Sequence, residues 1–148
     1  MNQLHQNLIV IFVMIFLTGC SPQSEKLVVE CTDSEVPCIK IISGSDKVKA
    51  VRGTTSWNSF EADSDAPPQI VSYQEGNLEA KFNSEVEIQF SRKPNSFEVY
   101  LWNDEKREKV VPILENTFVA DTSGTVIYEI KADWVEGYAN YAFKINVD

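Results

Sequence analysis

The sequence predicts an all-β protein folded as an antiparallel β-sandwich. Apolar and polar residues alternate with a period of two in many short segments, which is the pattern of half-buried strands, and no amphipathic helix of three turns is evident. Gly, Pro, Asn, Asp and Ser separate these segments, and such residues mark turns. Short strands at regular spacing with turns between them are typical of sandwiches and barrels.

The alternation is clearest in four segments, which we predict as strands: residues 85–90, 96–102, 126–131 and 141–147. In the second of these, Phe97, Val99 and Leu101 share one face, so Tyr100 and Trp102 point the other way. Weaker alternation predicts five further strands: residues 47–51, 69–73, 78–82, 108–113 and 116–120. Together with an N-terminal hairpin, about nine to eleven strands are expected.

The predicted hairpin carries two cysteines, Cys31 and Cys38. Residues 27–30 and 39–42 have strand character, and the Thr-Asp-Ser-Glu sequence between them has turn character. A disulfide between Cys31 and Cys38 would stabilise the fold by about 2 to 3 kcal/mol on the chain-entropy model. The alternative is two buried free thiols. A redox-active pair is disfavoured, because the spacing is not that of a C-x-x-C motif.

Length and charge limit the classes of function. The chain has 148 residues, 43% of them hydrophobic and 24% charged, which is the composition of one folded domain. Lys and Arg number 13 against 22 Asp and Glu, and the formal net charge is -9. Such a surface repels nucleic-acid phosphates and anionic lipid headgroups. Nucleic acid is therefore excluded as a predicted partner, as is attachment to a membrane through a polybasic surface.

The N-terminal residues carry an export signal. Residues 8–17 form an unbroken apolar run about half as long as a membrane-spanning helix. Leu17-Thr18-Gly19-Cys20 follows at once and resembles the lipobox of the bacterial lipoproteins. This resemblance implies that Cys20 receives a diacylglycerol and that the chain is cut between Gly19 and Cys20. The first seven residues contain no Lys or Arg, unlike most signal peptides, and the alternatives are an uncleaved anchor or a buried strand.

The lipoprotein resemblance implies a domain organisation and a location in the cell. Residues 1–19 are predicted as the signal peptide, residues 20–26 as the lipidated N-terminus with a short tether, and residues 27–148 as the β-sandwich. The protein is expected at the cell membrane, held by its lipid and facing outside the cytoplasm. A disulfide is permitted in that compartment.

The C-terminal half is similar in outline to the immunoglobulin superfamily. Trp102 ends a central-looking strand, and Asp121-Thr122-Ser123-Gly124 leads into a strand expected to pair with the last one. Val126 and Tyr128 stand where that family has its corner tyrosine and its cysteine. Residues 124–147 also resemble the ending of small secreted domains of Gram-positive bacteria. These resemblances imply an immunoglobulin-like sandwich and bring no activity with them.

Elimination argues against catalysis. The single histidine, His5, lies in the predicted signal peptide, so the mature chain has no imidazole for a catalytic triad or a histidine-containing zinc site. Two carboxylates could serve a hydrolase, but with 22 acidic residues some pair is inevitable. The acidic loop at residues 61–68 could bind calcium, although a solvated turn explains it better. We predict no enzyme, no cofactor and no resident metal.

Aromatic residues at strand edges and in loops are the candidates for partner binding. They are Trp57, Tyr100, Trp102, Trp134 and Tyr138. Trp57 and Trp134 could instead cap the two ends of the sandwich. Tyr100 and Trp102 are preferred as the partner-binding residues, because alternation turns them away from the predicted core.

The sequence therefore predicts a lipid-anchored protein-interaction module that binds an envelope protein and has no catalytic activity. The alternative is a surface lipoprotein that binds a small ligand or calcium, and the third possibility is a carboxylate-based hydrolase. An interaction module requires an exposed aromatic patch, a ligand-binding protein requires a pocket with converging polar groups, and a hydrolase requires paired carboxylates in a cleft.

Overall fold

The structure is a computed structural model that describes residues 35–148. The predictions for the signal peptide, for the lipid on Cys20, for Cys31 and for a strand at residues 27–30 lie outside these residues. The described part of the chain contains one short helix, α1 (Pro67–Ile70), which a 3-10 turn extends to Tyr73. Its strands are β1 (Ile39–Ser43), β2 (Asp46–Lys49), β3 (Val51–Trp57), β4 (Phe60–Ala62), β5 (Glu79–Ala80), β6 (Glu85–Phe90), β7 (Ser96–Trp102), β8 (Arg107–Val110), β9 (Thr117–Val119), β10 (Gly124–Trp134) and β11 (Gly137–Val147).

The strands form two sheets that pack face to face as a sandwich. One sheet has four strands in the order β2-β1-β6-β9. The other has seven strands, in the order β4-β3-β11-β10-β7-β8, with β5 pairing in parallel with the end of β11. All other pairs are antiparallel. The predicted all-β sandwich is confirmed, and the architecture is consistent with an immunoglobulin-like class.

Alternation along the strands fills the core between the sheets. Val86 and Ile88 of β6 are fully buried, while Glu87 between them is exposed. From the opposite sheet, the ring of Tyr128 stacks on Phe143 with centroids 5.3 Å apart and contacts Phe118 at 4.9 Å. Tyr128, predicted to replace the cysteine of the immunoglobulin pattern, therefore occupies a central core position.

Trp57 and Trp134 lie together at one end of the sandwich. Their rings meet edge to face, with centroids 5.5 Å apart, and both side chains are buried. The Arg92 guanidinium lies 5.1 Å above the Trp57 ring, and the Trp134 indole N–H donates to the Arg92 carbonyl at 3.1 Å. The two tryptophans thus cap one shared end rather than two ends, and neither forms a surface for a partner.

Most predicted strands are confirmed. β6 and β7 have the predicted bounds, whereas β10 and β11 are longer than predicted because their hairpin continues in register until Trp134 lies opposite Gly137. The predicted strand at 47–51 is split, since β2 ends at Lys49 and the chain then enters β3 in the other sheet. β3 and β4 were not predicted.

The predicted strand at 69–73 is wrong. Residues 67–73 form α1 and the 3-10 turn. Pro67 and Pro68 have the backbone angle that the first helical turn requires and lack the N–H that a strand would need. Ile70 and Val71 are buried on the outer face of the seven-stranded sheet against Ala142. An apolar run this short fits either a strand or a buried helical turn.

The predicted hairpin of residues 27–30 with 39–42 is also wrong. β1 pairs with β2 along one edge and with β6 along the other, so Ile41 lies between Val48 and Ile88. With both edges of β1 occupied, no hydrogen-bonding edge remains for a further strand. Cys38 precedes β1, is buried and is not a free thiol. Its pairing with Cys31 stays a prediction.

Candidate functional site

The preferred aromatic residues lie on the outer face of the seven-stranded sheet. In β7, Val99 and Leu101 are buried between the sheets, while Tyr100 and Trp102 alternate with them and face outward. Both outward side chains are half-buried. The predicted orientation of the pair is confirmed, and the partial burial shows that neighbouring side chains cover part of each ring.

A buried carboxylate accounts for much of that cover. Glu129 of β10 lies directly opposite Tyr100, and only 2% of its surface is exposed. Its Oε2 accepts hydrogen bonds from the Trp102 indole nitrogen and from Arg107 Nε, both at 2.7 Å. Its Oε1 accepts a bond from Arg107 Nη2 at 2.9 Å. Burial of a carboxylate requires such pairing, because a charge removed from water without a partner costs several kcal/mol.

Arg107 of β8 completes the arrangement. Its guanidinium lies 4.4 Å from the centre of the Tyr100 ring and 5.9 Å from that of Trp102. The hydrogen bonds to Glu129 raise the pKa of Arg107, which keeps it charged. The Tyr100 hydroxyl donates to Glu98 at 2.7 Å, and this bond, with burial, raises the pKa of Tyr100. We call these five residues, Glu98, Tyr100, Trp102, Arg107 and Glu129, the Arg107 cluster.

The cluster lies at an edge of the sandwich. β8 is the last strand of its sheet within the described residues, and all four of its residues are exposed. Val110 lies opposite Tyr100, so its side chain stands on the same outer face, and 58% of it is exposed. An aliphatic side chain, an aromatic ring and a fixed guanidinium are therefore presented side by side at an accessible edge.

A cavity of about 260 Å³ lies beside the cluster. Trp102 and Glu129 contribute to its wall, and Thr54, Ser64 and Asn140 contribute polar groups. The Thr54 and Ser64 hydroxyl oxygens are 3.3 Å apart, and Ser64 donates to the Asp65 carbonyl at 2.9 Å. Asn140 Oδ1 is buried and has no hydrogen-bond partner. This cavity has the converging polar groups expected of a ligand site.

A second cavity of about 290 Å³ shares Thr54 and Asn140 with the first. It extends across the sheet to Lys131, Asp133 and Tyr138. Because the two cavities share lining residues, we treat them as one depression, which we call the outer-face groove. The Tyr138 ring, 41% exposed, lies at its far end.

The described residues offer little support for a metal site. Within residues 35–148, no three or more His, Cys, Asp or Glu side chains are grouped so that they could hold a metal ion. The acidic loop at residues 61–68, considered for calcium, includes an exposed Ser64 whose hydroxyl donates to a neighbouring backbone carbonyl. In the same part of the chain, no helix is long and apolar enough to cross a membrane.

Sequence reasoning missed three residues of the cluster, Glu98, Arg107 and Glu129. The alternation in β10 marked Glu129 as a residue on the face away from the core, where carboxylates are usually solvated. The predicted strand at residues 108–113 begins one residue after Arg107. The signal that could have found them is the strand order, which brings β8, β7 and β10 side by side.

Comparison with known proteins adds no relative to these observations. No protein-family model, no curated protein and no solved structure matches the chain. Arguments about function therefore rest on the geometry of the outer face.

Proposed function

We propose that this protein is a lipid-anchored, extracytoplasmic protein-interaction module without catalytic activity, and that the Arg107 cluster with Val110 is its contact surface for an envelope protein. The observation that carries this proposal is the position of the Arg107 guanidinium, which a bidentate hydrogen bond to the buried Glu129 holds over the Tyr100 ring. Trp, Tyr and Arg are the residues most enriched among those that dominate protein-protein binding energy.

Preorganisation favours binding at this place. A free arginine or tryptophan side chain loses rotamer freedom when a partner binds, at a cost of about 0.5 to 1.5 kcal/mol for each side chain. Here, Glu129 fixes Arg107 and Trp102 in the unbound protein. Val110 adds exposed apolar surface beside them, as the centre of an interface requires.

The lipid anchor rests on the resemblance of Leu17-Thr18-Gly19-Cys20 to a lipobox. Diacylglycerol on Cys20 would hold the domain at the outer surface of the cell membrane, since two acyl chains bind a bilayer far more strongly than one. A disulfide between Cys31 and Cys38 would tie the tether to the start of β1. Intact mass of the purified protein tests both modifications. Cys20→Ser should remove the lipid and prevent cleavage between Gly19 and residue 20, so this variant should keep its full precursor mass.

Val110 gives the sharpest test of the contact surface. A photoreactive amino acid placed at position 110 in native cells should form one discrete adduct with an envelope protein. In a second experiment, Val110→Asp should abolish co-purification of that protein. The matched control is Val135→Asp, because Val135 is 89% exposed and lies in the turn between β10 and β11, remote from β8. An adduct that forms equally at 135, or binding that Val110→Asp leaves intact, would remove the Arg107 cluster as the contact surface.

A further inference from the structure

We propose that the outer-face groove binds a neutral saccharide. The groove runs along β10 from Glu129 to Asp133, a span of about 13 Å at the rise of a strand. Its two cavities, of about 260 and 290 Å³, each approach the lower limit of the size usual for small-ligand sites, which is about 300 Å³. The inference goes beyond the proposed protein contact, which uses the β8 edge of the same face.

The lining of the groove calls for a ligand rich in hydrogen-bond donors. Asn140 lines both cavities, and a side-chain amide can both donate and accept hydrogen bonds with a ligand. The Glu98 and Asp133 carboxylates, on the groove wall, are exposed and can accept only. Hydroxyl groups at several points of one ligand would satisfy these acceptors together.

The charge of the groove disfavours anions. Glu129 is neutralised by Arg107, and Lys131 lies opposite Glu98 on the neighbouring strand. Asp65 and Asp133 remain without an opposite charge among the lining residues, so the local charge is negative. Phosphorylated ligands and uronic acids would be repelled, whereas a neutral saccharide would not.

The far end of the groove offers an apolar contact. Tyr138 presents a ring that is 41% exposed beside Asp133 and Lys131. Saccharide rings have faces of C–H groups as well as edges of hydroxyls, and an aromatic ring gives the C–H face an apolar surface to cover. Acceptors along the groove and a ring at its end therefore match both kinds of surface on one ligand.

Calorimetric titration of the full-length protein in a detergent without a sugar headgroup tests this inference. The probes are the neutral trisaccharides cellotriose, maltotriose and tri-N-acetylchitotriose, with trigalacturonate as the anion and spermidine as the cation. At least one neutral trisaccharide should bind with a dissociation constant of about 1 mM or below, and at least about tenfold more tightly than trigalacturonate. No binding by any neutral probe, or binding of spermidine alone, would overturn the inference.

Variants place the binding in the groove. Asn140→Leu should weaken saccharide binding by about tenfold or more, since it removes the amide that lines both cavities. Asn146→Leu is the matched control, on the same face of β11 beyond the groove, where Asn146 bonds Glu79 and Thr125. Tyr138→Ala, at an exposed position, gives a second test that does not depend on folding of the Asn140 variant. Equal binding by all three variants would refute the location.

The result is separable from that of the protein contact. Val110 is not among the residues that line the groove, so Val110→Asp should bind the saccharide as the unaltered protein does. Loss of the partner with retained saccharide binding would support both proposals. Retained partner binding in Val110→Asp would refute the contact surface and leave the groove unaffected.

Discussion

Arg107→Ala should destabilise the protein far more than Lys109→Ala, although the two residues lie on the same strand and each pairs with a carboxylate. Arg107 bonds Glu129 at 2.7 Å, and Lys109 bonds Asp121 at 3.1 Å. The basic side chains have similar exposure, 38% and 45%. Their partners differ, because the Glu129 side chain is 3% exposed and that of Asp121 is 49% exposed. The pair of variants therefore compares a basic residue whose partner carboxylate is buried with one whose partner is exposed.

The size of the destabilisation in Arg107→Ala follows from the hydrogen bonds that Glu129 would still have. Without Arg107, the Glu129 carboxylate keeps only the hydrogen bond from Trp102. Removing one partner of a buried pair costs about 3 to 5 kcal/mol, and the partial exposure of Arg107 favours the lower limit, so we expect about 3 kcal/mol. An exposed pair such as Lys109 with Asp121 contributes about 0 to 1 kcal/mol.

Urea denaturation of the full-length variants, followed by circular dichroism and by tryptophan fluorescence, measures both free energies of unfolding. Arg107→Ala/Glu129→Gln gives an internal control. A neutral amide is less costly to bury than a carboxylate, so this double variant should be more stable than Arg107→Ala. If Arg107→Ala and Lys109→Ala differ by less than about 1 kcal/mol, Glu129 does not depend on Arg107 and the reasoning is refuted.

Three further predictions concern the core and one turn. Tyr128→Phe should stabilise the protein by about 1 kcal/mol, because the buried Tyr128 hydroxyl has no hydrogen-bond partner. Tyr141→Phe should destabilise it by about as much, because the Tyr141 hydroxyl donates to the Pro37 carbonyl. Thermal unfolding measures both, and melting temperatures that shift in the same direction would contradict this reasoning. Burial raises the pKa of Tyr128 to about 12, above the ordinary value of 10.0, so the folded protein keeps a proton that the unfolded chain loses above pH 10. The free energy of unfolding therefore falls as the pH rises from about 10 to about 12. Denaturation between pH 10 and about 12 should show a smaller loss of unfolding free energy in Tyr128→Phe than in the unaltered protein. Gly137→Ala should cost about 3 kcal/mol because the new Cβ would lie 2.0 Å from the Ser56 carbonyl oxygen, and an equal melting temperature for Gly44→Ala, with open space around it, would contradict this steric cause.

Strand positions were predictable wherever one face of the strand is buried. In β6 and β7, the buried residues alternate with exposed or half-buried ones, and a shift by one residue would expose the whole apolar set. The same argument gave the outward direction of Tyr100 and Trp102. It could not give the neighbours of a strand, because pairing between β1 and β6 joins residues about 50 positions apart in the chain.

Contacts between residues far apart in the sequence also explain what the sequence analysis got wrong or missed. The hairpin at Cys31 and Cys38 was inferred from local sequence, but β2 and β6 occupy both edges of β1. The run at residues 69–73 is apolar because it covers Ala142 on the outer face of the sheet, a contact that local alternation does not encode. The pairing of Glu129 with Arg107 could not be predicted, because Arg107 comes from a strand two positions away in the sheet.

A buried ion pair is a poor way to stabilise a sheet face, and this gives the Arg107 cluster its interest. Replacing such a pair by apolar residues of similar volume is often neutral or stabilising. We therefore expect Arg107→Met/Glu129→Met to unfold with a free energy within about 1 kcal/mol of the unaltered protein. The same double variant should lose the envelope partner that contacts Val110, because it no longer fixes Trp102 or presents the guanidinium over Tyr100. A double variant that is much less stable would show that the pair holds the fold together, whereas a stable variant that keeps the partner would show that it serves neither purpose.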